Sequence, residues 1–237
     1  MIVKKEFLIS GIEKTTPNVT LFRFKATDGA KVEFTPGMFV MVYHRDQATG
    51  KDEGRAFSIA SSPNSSELEF AISMIHGRFT TVLDTAKIGD KFYITGPHGQ
   101  FKFNVNDKEK FLFLAGGTGI APFLSMLRQM REAKAKLDAV MFYSVKFPSE
   151  IIAKQELDGI ERDTGMKMVV TVTRPQPSDN WQGETGHVNA DMVAKYVKDV
   201  TERDCYICGP PEFVKALKAM EIACGVDEKR ISAEMWG

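Results

Sequence analysis

Two patterns of apolar and polar residues divide the chain into halves. In the first hundred residues, short apolar stretches alternate with turn residues, and four segments have the pattern of strands: 19–24, 39–43, 68–74 and 91–95. The charged start, residues 1–7, also has the pattern of a strand, and one short helix is predicted over residues 79–85. Strands at this spacing predict a barrel or a sandwich.

In the second half, strands alternate with helices. Residues 111–115 form a continuous apolar run, which is typical of a strand buried on both faces. Further strands are predicted at 139–144, 168–173, 205–208 and 230–233. Helices are predicted at 122–131, 149–160, 190–197 and 212–224, with Ser149 as the N-cap of the second. The alternation predicts a parallel sheet with helices on both faces. The polar stretch 104–110 separates the halves, so we expect domains at 1–104 and 105–237.

Composition excludes several classes of function. The 237 residues carry 31 basic and 31 acidic side chains, so the formal net charge is zero and no nucleic-acid partner is expected. Three cysteines are too few for a disulfide framework and indicate a reducing compartment, for which the cytoplasm is the expectation. The start has no apolar run like that of a signal peptide, and no apolar stretch is long enough to predict a membrane span.

A glycine-rich turn opens the second half. Residues 116–122 directly follow the first buried strand and lead into a helix. Glycines allow a tight turn, Pro122 suits the first helical turn, and the free N–H groups of a helix start bind phosphate. The turn is not a complete G-x-G-x-x-G, because Pro122 stands in place of the third glycine. We interpret it as a pyrophosphate site; a tight turn without a ligand is the alternative.

Two segments of the first half suit a phosphate and a flat ring. Arg55 ends a polar loop and begins a strand, where its guanidinium could hold a phosphate. Phe57 would lie on the same face and stack on a ring, with Ser58 hydrogen-bonding to the ring's edge. Gly77 opens the predicted helix, whose start also suits phosphate. An exposed arginine on a strand and a capped short helix are the alternatives.

The segment Cys208, Gly209 and Pro210 lies at the carboxyl end of another predicted parallel strand, where open α/β sheets bind ligands. Cys205 completes a C-x-x-C, but both cysteines lie in one strand, which is too extended for a disulfide. No second cysteine pair or nearby histidine completes a zinc set, so no metal site is predicted.

Taken in order, these motifs resemble those of the ferredoxin–NADP reductase family, and the resemblance covers nearly the whole chain. Arg55-Ala56-Phe57-Ser58 is similar to the family's R-x-[YF]-S, and Gly77-Arg78-Phe79-Thr80 to its G-x-x-[ST]. Residues 96–101 match G-P-x-G-x-F, residues 116–122 match G-G-T-G-I-A-P, and residues 208–211 match C-G-P-P. Residues 234–236 resemble the family's acid-x-aromatic ending.

The resemblance implies a Greek-key antiparallel β-barrel that binds FAD, followed by a parallel-sheet domain that binds NAD(P)H. It implies that Ser58, Cys208 and Glu234 surround the path of the hydride. The expected FAD contacts are Arg55, Ala56, Phe57, Ser58, Ile72, Met74, Gly77, Arg78, Phe79, Thr80 and Trp236. The expected nucleotide contacts are Gly117, Thr118, Gly119, Ile120, Pro122, Lys146, Arg174, Cys208, Gly209 and Pro210.

Two basic residues affect the expected choice of coenzyme. Lys146 follows the second strand of the second half, with no acid until Glu150, and Arg174 follows the third strand. An acid normally holds the ribose hydroxyl of NAD at such a position, whereas basic residues suit a 2′-phosphate. NADPH is therefore slightly favoured over NADH, although Trp181, Gly183 and residues 186–189 also resemble NADH-using relatives.

The chain departs from the family's pattern in two respects. Gly237 follows Trp236, so the aromatic residue is not the last one. Many relatives carry an iron–sulfur domain held by four cysteines, whereas three cysteines here predict that any cluster belongs to a separate acceptor.

The favoured function is a reductase that transfers a hydride between NAD(P)H and FAD and single electrons to or from a ferredoxin- or flavodoxin-like acceptor. One alternative is the reductase component of a multicomponent oxygenase, or a free flavin reductase. Another is an accessory electron-transfer subunit of a larger complex. A separate acceptor protein is the expected partner, and the oligomeric state is open.

Overall fold

The protein consists of two sheets that follow each other along the chain. The computed structural model describes residues 4–45, 50–75, 77–106 and 110–236. Expectations that concern residues 1–3, the join at 107–109 and Gly237 therefore lie outside the described residues.

The first half is a six-stranded antiparallel sheet that closes toward a barrel, which confirms the predicted barrel. Its strands are β1 (Lys5–Thr16), β2 (Val19–Ala26), β3 (Phe39–Arg45), β4 (Asp52–Ser58), β5 (Leu68–Ser73) and β6 (Lys91–His98). The strand order is β4-β3-β6-β1-β2-β5, so β6 returns to lie between β3 and β1 in the manner of a Greek key. The two outer strands, β4 and β5, meet across the barrel, where the ring centroids of Phe57 and Phe70 are 6.1 Å apart. Helix α1 (Arg78–Asp84) follows β5.

The second half is a parallel sheet with helices, as predicted. Its strands are β7 (Lys110–Gly116), β8 (Asp138–Val145), β9 (Lys167–Val172), β10 (Glu184–Thr185), β11 (Asp204–Gly209) and β12 (Ile231–Met235). Its helices are α2 (Ile120–Glu132), α3 (Lys154–Thr164), α4 (Ala190–Tyr196) and α5 (Pro211–Ala223), and short 3₁₀ turns cover 117–119, 148–150, 177–179, 200–202 and 228–230. The strand order is β10-β9-β8-β7-β11-β12. The winding direction changes between β7 and β11, and open sheets of this kind bind ligands at the carboxyl ends of the strands at such a point.

Buried side chains on β7 hold the halves together. Phe111 and Phe113 face one side of the sheet, and Leu112 and Leu114 face the other. Phe103, which follows the barrel, packs on Phe111 with ring centroids 5.0 Å apart. One core cluster therefore contains side chains of both halves, and their relative position is set by shared apolar packing.

The prediction that Arg55 to Ser58 begin a strand is wrong. These residues end β4 rather than begin a strand, because the polar residues before them already pair with β3, from Arg45 opposite Asp52 to Phe39 opposite Ser58. Polar residues on an outer strand do not show the apolar alternation that predicts a strand.

The helix predicted over 149–160 is also wrong at its start, and Ser149 is not its N-cap. Pro148–Glu150 form a 3₁₀ turn and Ile151 is extended. Ala153 has a φ of 51°, and α3 begins only at Lys154. Burial of Ile151 and Ile152 against the core holds this segment out of the helix. The other predicted helices and strands are confirmed with their ends shifted by a few residues, while the full length of β1 and the short β10 were not predicted.

Candidate active site

A cleft of about 720 Å³ opens between the halves at the carboxyl ends of the parallel strands. From the barrel side it is lined by Thr16 at the end of β1, by Asn18 in the β1–β2 turn, and by Met74 and Ile75 after β5. From the other side it is lined by predicted site residues: Gly117, Thr118, Lys146, Arg174, Pro210 and Trp236. Its volume is that of a site for a cofactor-sized molecule.

The glycine turn fits closely against the neighbouring strand. A Cβ at Gly119 would lie 2.3 Å from the carbonyl oxygen of Cys208, so only glycine allows the turn to approach β11. Gly117 has a φ of +55°, and a Cβ there would meet no atom within 4 Å. The turn is therefore packed against the sheet on one side and open on the other, and it leads directly into α2. This geometry fits a bound pyrophosphate.

The three predicted catalytic residues lie together where the halves meet. Cys208 on β11 lies opposite Glu234 on the parallel strand β12. Ser58, at the end of β4, donates from its Oγ to Oε2 of Glu234 at 3.4 Å. The barrel and the parallel sheet each contribute to this group, which no local stretch of sequence contains.

Burial controls the protonation of this group. It raises the pKa of the Glu234 carboxyl, and the hydrogen bond from Ser58 opposes that rise only in part. It also raises the pKa of the Cys208 thiol, to which the charge of Glu234 adds. Cys208 is thus a neutral thiol at physiological pH and not an activated nucleophile.

Cys205 and Cys208 do not form a redox pair. They lie on opposite faces of β11, Cys205 in the core cluster with Leu112 and Cys208 in the cluster with Phe113. Both are free and fully buried.

Trp236 lies at the edge of the cleft. Its backbone N–H donates to the carbonyl of Gly209 at 3.3 Å, and 40% of its surface is exposed. An exposed indole held at its backbone is available to cover a flat ring.

Lys146, Arg174 and Glu150 are neighbours in the lining of the cleft. The backbone N–H of Arg174 donates to the carbonyl of Lys146 at 2.9 Å, so the two basic residues are adjacent. Oε2 of Glu150 accepts from the backbone N–H of Lys146 at 3.3 Å, and Glu150 also lines the cleft. The sequence placed Glu150 four residues after Lys146, but the 3₁₀ turn brings its carboxylate back to the strand end.

The barrel residues predicted for FAD fall into two groups. Arg55, Ala56, Gly77 and Arg78 are exposed. Helix α1 has no side-chain cap on Gly77, and Arg78 lies 3.6 Å from Glu53. An exposed arginine at Arg55 and an uncapped helix start at Gly77 are the two features that the predicted phosphate sites require.

Other predicted contacts have side chains in the core. Phe57 packs on Phe79 with centroids 5.7 Å apart. Thr80 is buried and donates from its Oγ1 to the carbonyl of Gly77 at 3.1 Å. The side chains of Ile72, Phe79, Ile120 and Pro122 are buried too, so a cofactor contact from these positions would come from the backbone.

Sequence reasoning missed several residues of the cleft. Thr16 enters it from the end of β1 and Asn18 from the β1–β2 turn. Neither Thr16 nor Asn18 belongs to a motif, and only the docking of the two halves brings them to the cleft. His187, from the segment after β10, also lines it and lies in the stretch 186–189 that resembles NADH-using relatives.

A Greek-key barrel followed by a doubly wound parallel sheet, with a phosphate-type glycine turn and a cleft between them, defines a two-domain dinucleotide-dependent flavoprotein. Residues 6–103 match the profile of the oxidoreductase FAD-binding domain, and residues 113–219 that of the oxidoreductase NAD-binding domain. The chain belongs to the ferredoxin–NADP reductase-like family of FAD- and NAD(P)-binding flavoprotein reductases.

Individual relatives agree with this assignment. The chain is 31% identical to the glycine betaine monooxygenase reductase subunit of Pseudomonas aeruginosa (strain UCBPP-PA14), over 94% of this chain and 61% of that protein. The FAD/NAD-binding domain of nitric oxide dioxygenase from Vibrio cholerae O1 biovar El Tor has the same fold, with a TM-score of 0.89, 20% identity and 98% of each chain covered. The ferredoxin reductase in carbazole 1,9a-dioxygenase has a TM-score of 0.86 at 26% identity, covering 100% of this chain and 70% of that one. The chain spans about three fifths of the length of the curated relatives that it matches.

Across the described ranges, no helix is both long and apolar enough to cross a membrane.

Proposed function

We propose that the chain transfers electrons from NAD(P)H through bound FAD to a separate one-electron acceptor. The observation that carries the proposal is the meeting of Ser58, Glu234 and Cys208 at the junction of the FAD-binding and NAD-binding halves. FAD supplies the acceptance of a hydride and the release of single electrons when it is bound. The chain supplies the binding, the alignment and the exclusion of water.

For FAD, we assign the two phosphates to the exposed Arg55 and to the turn of Gly77, Arg78 and Thr80. A cofactor with a single phosphate would leave one of these sites unused, which favours FAD over FMN. Ala56, Phe57, Ser58, Ile72, Met74 and Trp236 are assigned to the flavin side of the site. Trp236 is held at the cleft edge by Gly209 and would cover the ring.

For the nicotinamide nucleotide, the turn of Gly117, Thr118 and Gly119, with the start of α2 at Ile120 and Pro122, is assigned to the pyrophosphate. Cys208, Gly209 and Pro210 are assigned to the nicotinamide. Lys146 and Arg174 would meet a 2′-phosphate, which favours NADPH slightly, while Glu150 in the same part of the cleft is the residue that would favour NADH.

Positioning accounts for the rate in this proposal. Ser58 holds its hydroxyl toward the Glu234 carboxyl, and Cys208 presents a small neutral thiol behind the glycine turn. None of the three needs to act as a strong acid or base, because alignment of the reacting atoms contributes most to hydride transfer.

We propose a protein as the acceptor: a ferredoxin, a flavodoxin or an oxygenase component. Two of the relatives named above are reductases of oxygenase systems, which supports the oxygenase component. Because the formal net charge is zero, we propose no nucleic-acid partner. We also propose the bounds 1–104 and 105–237 for the domains, and a cytoplasmic location on the basis of three free cysteines.

The test is an acceptor panel on the purified, FAD-loaded chain. NADPH or NADH would be supplied with ferricyanide, a ferredoxin, a flavodoxin, an oxygenase component or free FMN. We expect coenzyme oxidation with ferricyanide and with one of the protein acceptors. The Cys224→Ala chain should give the same rates as the unchanged chain in this panel, because Cys224 does not line the cleft. Absence of coenzyme oxidation with every acceptor would contradict the proposal, and free FMN as the preferred acceptor would identify a flavin reductase.

A further inference from the structure

Arg128 links α2 to three other parts of the molecule. Its Nη1 donates to the carbonyl of Ala60 at 2.8 Å and to Oε1 of Glu69 on β5 at 2.7 Å. Its Nε and Nη2 donate to the two carboxylate oxygens of Glu156 on α3 at 2.8 and 2.7 Å. Its side chain is only 13% exposed, so these are charge-assisted hydrogen bonds made by a mostly buried guanidinium.

The guanidinium is held in the interface between the halves. Glu69 belongs to the barrel and its side chain is 9% exposed, while Glu156 belongs to the nucleotide-binding half. A lysine at this position would keep the charge but could not make the forked contact to Glu156 and reach the barrel as well. The geometry therefore requires arginine rather than any cation.

The two ends of this link lead directly to the site. Ala60 comes two residues after Ser58, and α2 begins at the glycine turn that lines the cleft. The hydrogen bond from Ser58 to Glu234 is long, at 3.4 Å, so a small shift of one half against the other would break it. A second contact between the halves lies close by, where the N–H of Ala153 donates to Oγ1 of Thr15 at 3.0 Å.

We propose that Arg128 is a positioning residue that sets the spacing of the FAD-binding and NAD-binding halves, and with it the alignment of the coenzyme for hydride transfer. This inference rests on the proposed function for its kinetic consequence but not for its structural one. Arg128 acts through the segment after Ser58 and through α2, and it is not among the residues that line the cleft.

The kinetic test compares Arg128→Lys with the unchanged chain and with Arg131→Lys. Arg131 lies on the same helix and pairs with the same Glu156, at 3.6 Å, with a 37% exposed side chain. Anaerobic stopped-flow mixing of the FAD-loaded protein with NADPH or NADH gives the limiting rate of flavin reduction per bound FAD and the coenzyme Kd. For Arg128→Lys we expect the limiting rate to fall about tenfold or more with Kd within about twofold, and no change for Arg131→Lys.

A role in folding alone would lower the FAD-loaded fraction without changing the rate per bound FAD. A limiting rate within about twofold of that of the unchanged chain would therefore overturn the proposal for hydride transfer.

The second readout does not depend on activity. Amide hydrogen exchange on the FAD-loaded Arg128→Lys chain should be about tenfold faster at Ala153, whose N–H bonds across the interface, and unchanged in β7. Equal exchange at Ala153 in both chains would overturn the positioning role even if the chain oxidised neither coenzyme. Faster exchange at Ala153 without any flavin reduction by the unchanged chain would reject the proposed function and keep the link between the halves.

Discussion

Replacing Glu221 by glutamine should stabilise the protein at alkaline pH. Glu221 lies on α5 with none of its surface exposed. Its Oε1 has no hydrogen-bond partner among the described residues, and its Oε2 lies 3.8 Å from Sγ of Cys205. A buried carboxylate with so little support is costly in the charged form.

The magnitude follows from the pKa of this carboxyl. Burial raises it from an ordinary value of 4.5 to about 7, and the contact with Cys205 offsets only a little of that rise. The difference corresponds to a free energy of about 3 kcal/mol. The folded state binds the Glu221 proton more tightly than the unfolded state does. The contribution of this carboxyl to the free energy of unfolding is therefore complete below pH 4.5, decreases as the pH rises, and is lost in full above about pH 7.

Urea unfolding of the FAD-loaded protein between about pH 5 and pH 8.5 measures this effect. The Glu221→Gln chain should match the unchanged chain near pH 5 and exceed its unfolding free energy by up to about 3 kcal/mol near pH 8.5. Glu212→Gln is the control, because this carboxyl lies on the same helix with an 89% exposed side chain. A constant difference across this pH range would refute the reasoning, since it would mean that the Glu221 carboxyl does not titrate there.

Three further predictions concern the site. Flavin released by heat and separated on a column should be FAD, and FMN as the main species would reject the two-phosphate interpretation of Arg55 and Gly77 to Thr80. Cys208→Ala should slow flavin reduction in stopped-flow experiments about ten- to a hundredfold, equivalent to about 1.4–2.7 kcal/mol, with FAD still bound, whereas an unchanged rate would assign Cys208 to the core alone. Trp236→Ser should tighten NAD(P)⁺ binding, measured from the flavin spectral shift, because the indole would no longer cover the ring; weaker or unchanged binding with an unperturbed flavin spectrum would show that it does not.

The parts of the fold that the sequence predicted are those with a local signal. The run 111–115 is apolar at every position because β7 is buried on both faces, and the glycine turn after it is needed for the close approach to Cys208. The start of α3 could not be predicted, because packing of Ile151 and Ile152 against the core overrides the N-cap signal of Ser149. The start of β4 at Asp52 was missed because its polar residues pair on an outer strand without apolar alternation.

The sequence by itself determined the two halves, the order of their motifs and the family that these motifs resemble, because each depends on residues close together in the chain. The tertiary structure decided what those residues can do. Ser58 and Glu234 are 176 residues apart and meet only because the barrel docks on the parallel sheet. In the sequence, Arg128 cannot be distinguished from a surface arginine of an amphipathic helix. Only in the folded structure does it pair with Glu69 and Glu156. Burial and charge pairing depend on contacts distant in sequence, so they arise only when the halves are packed together.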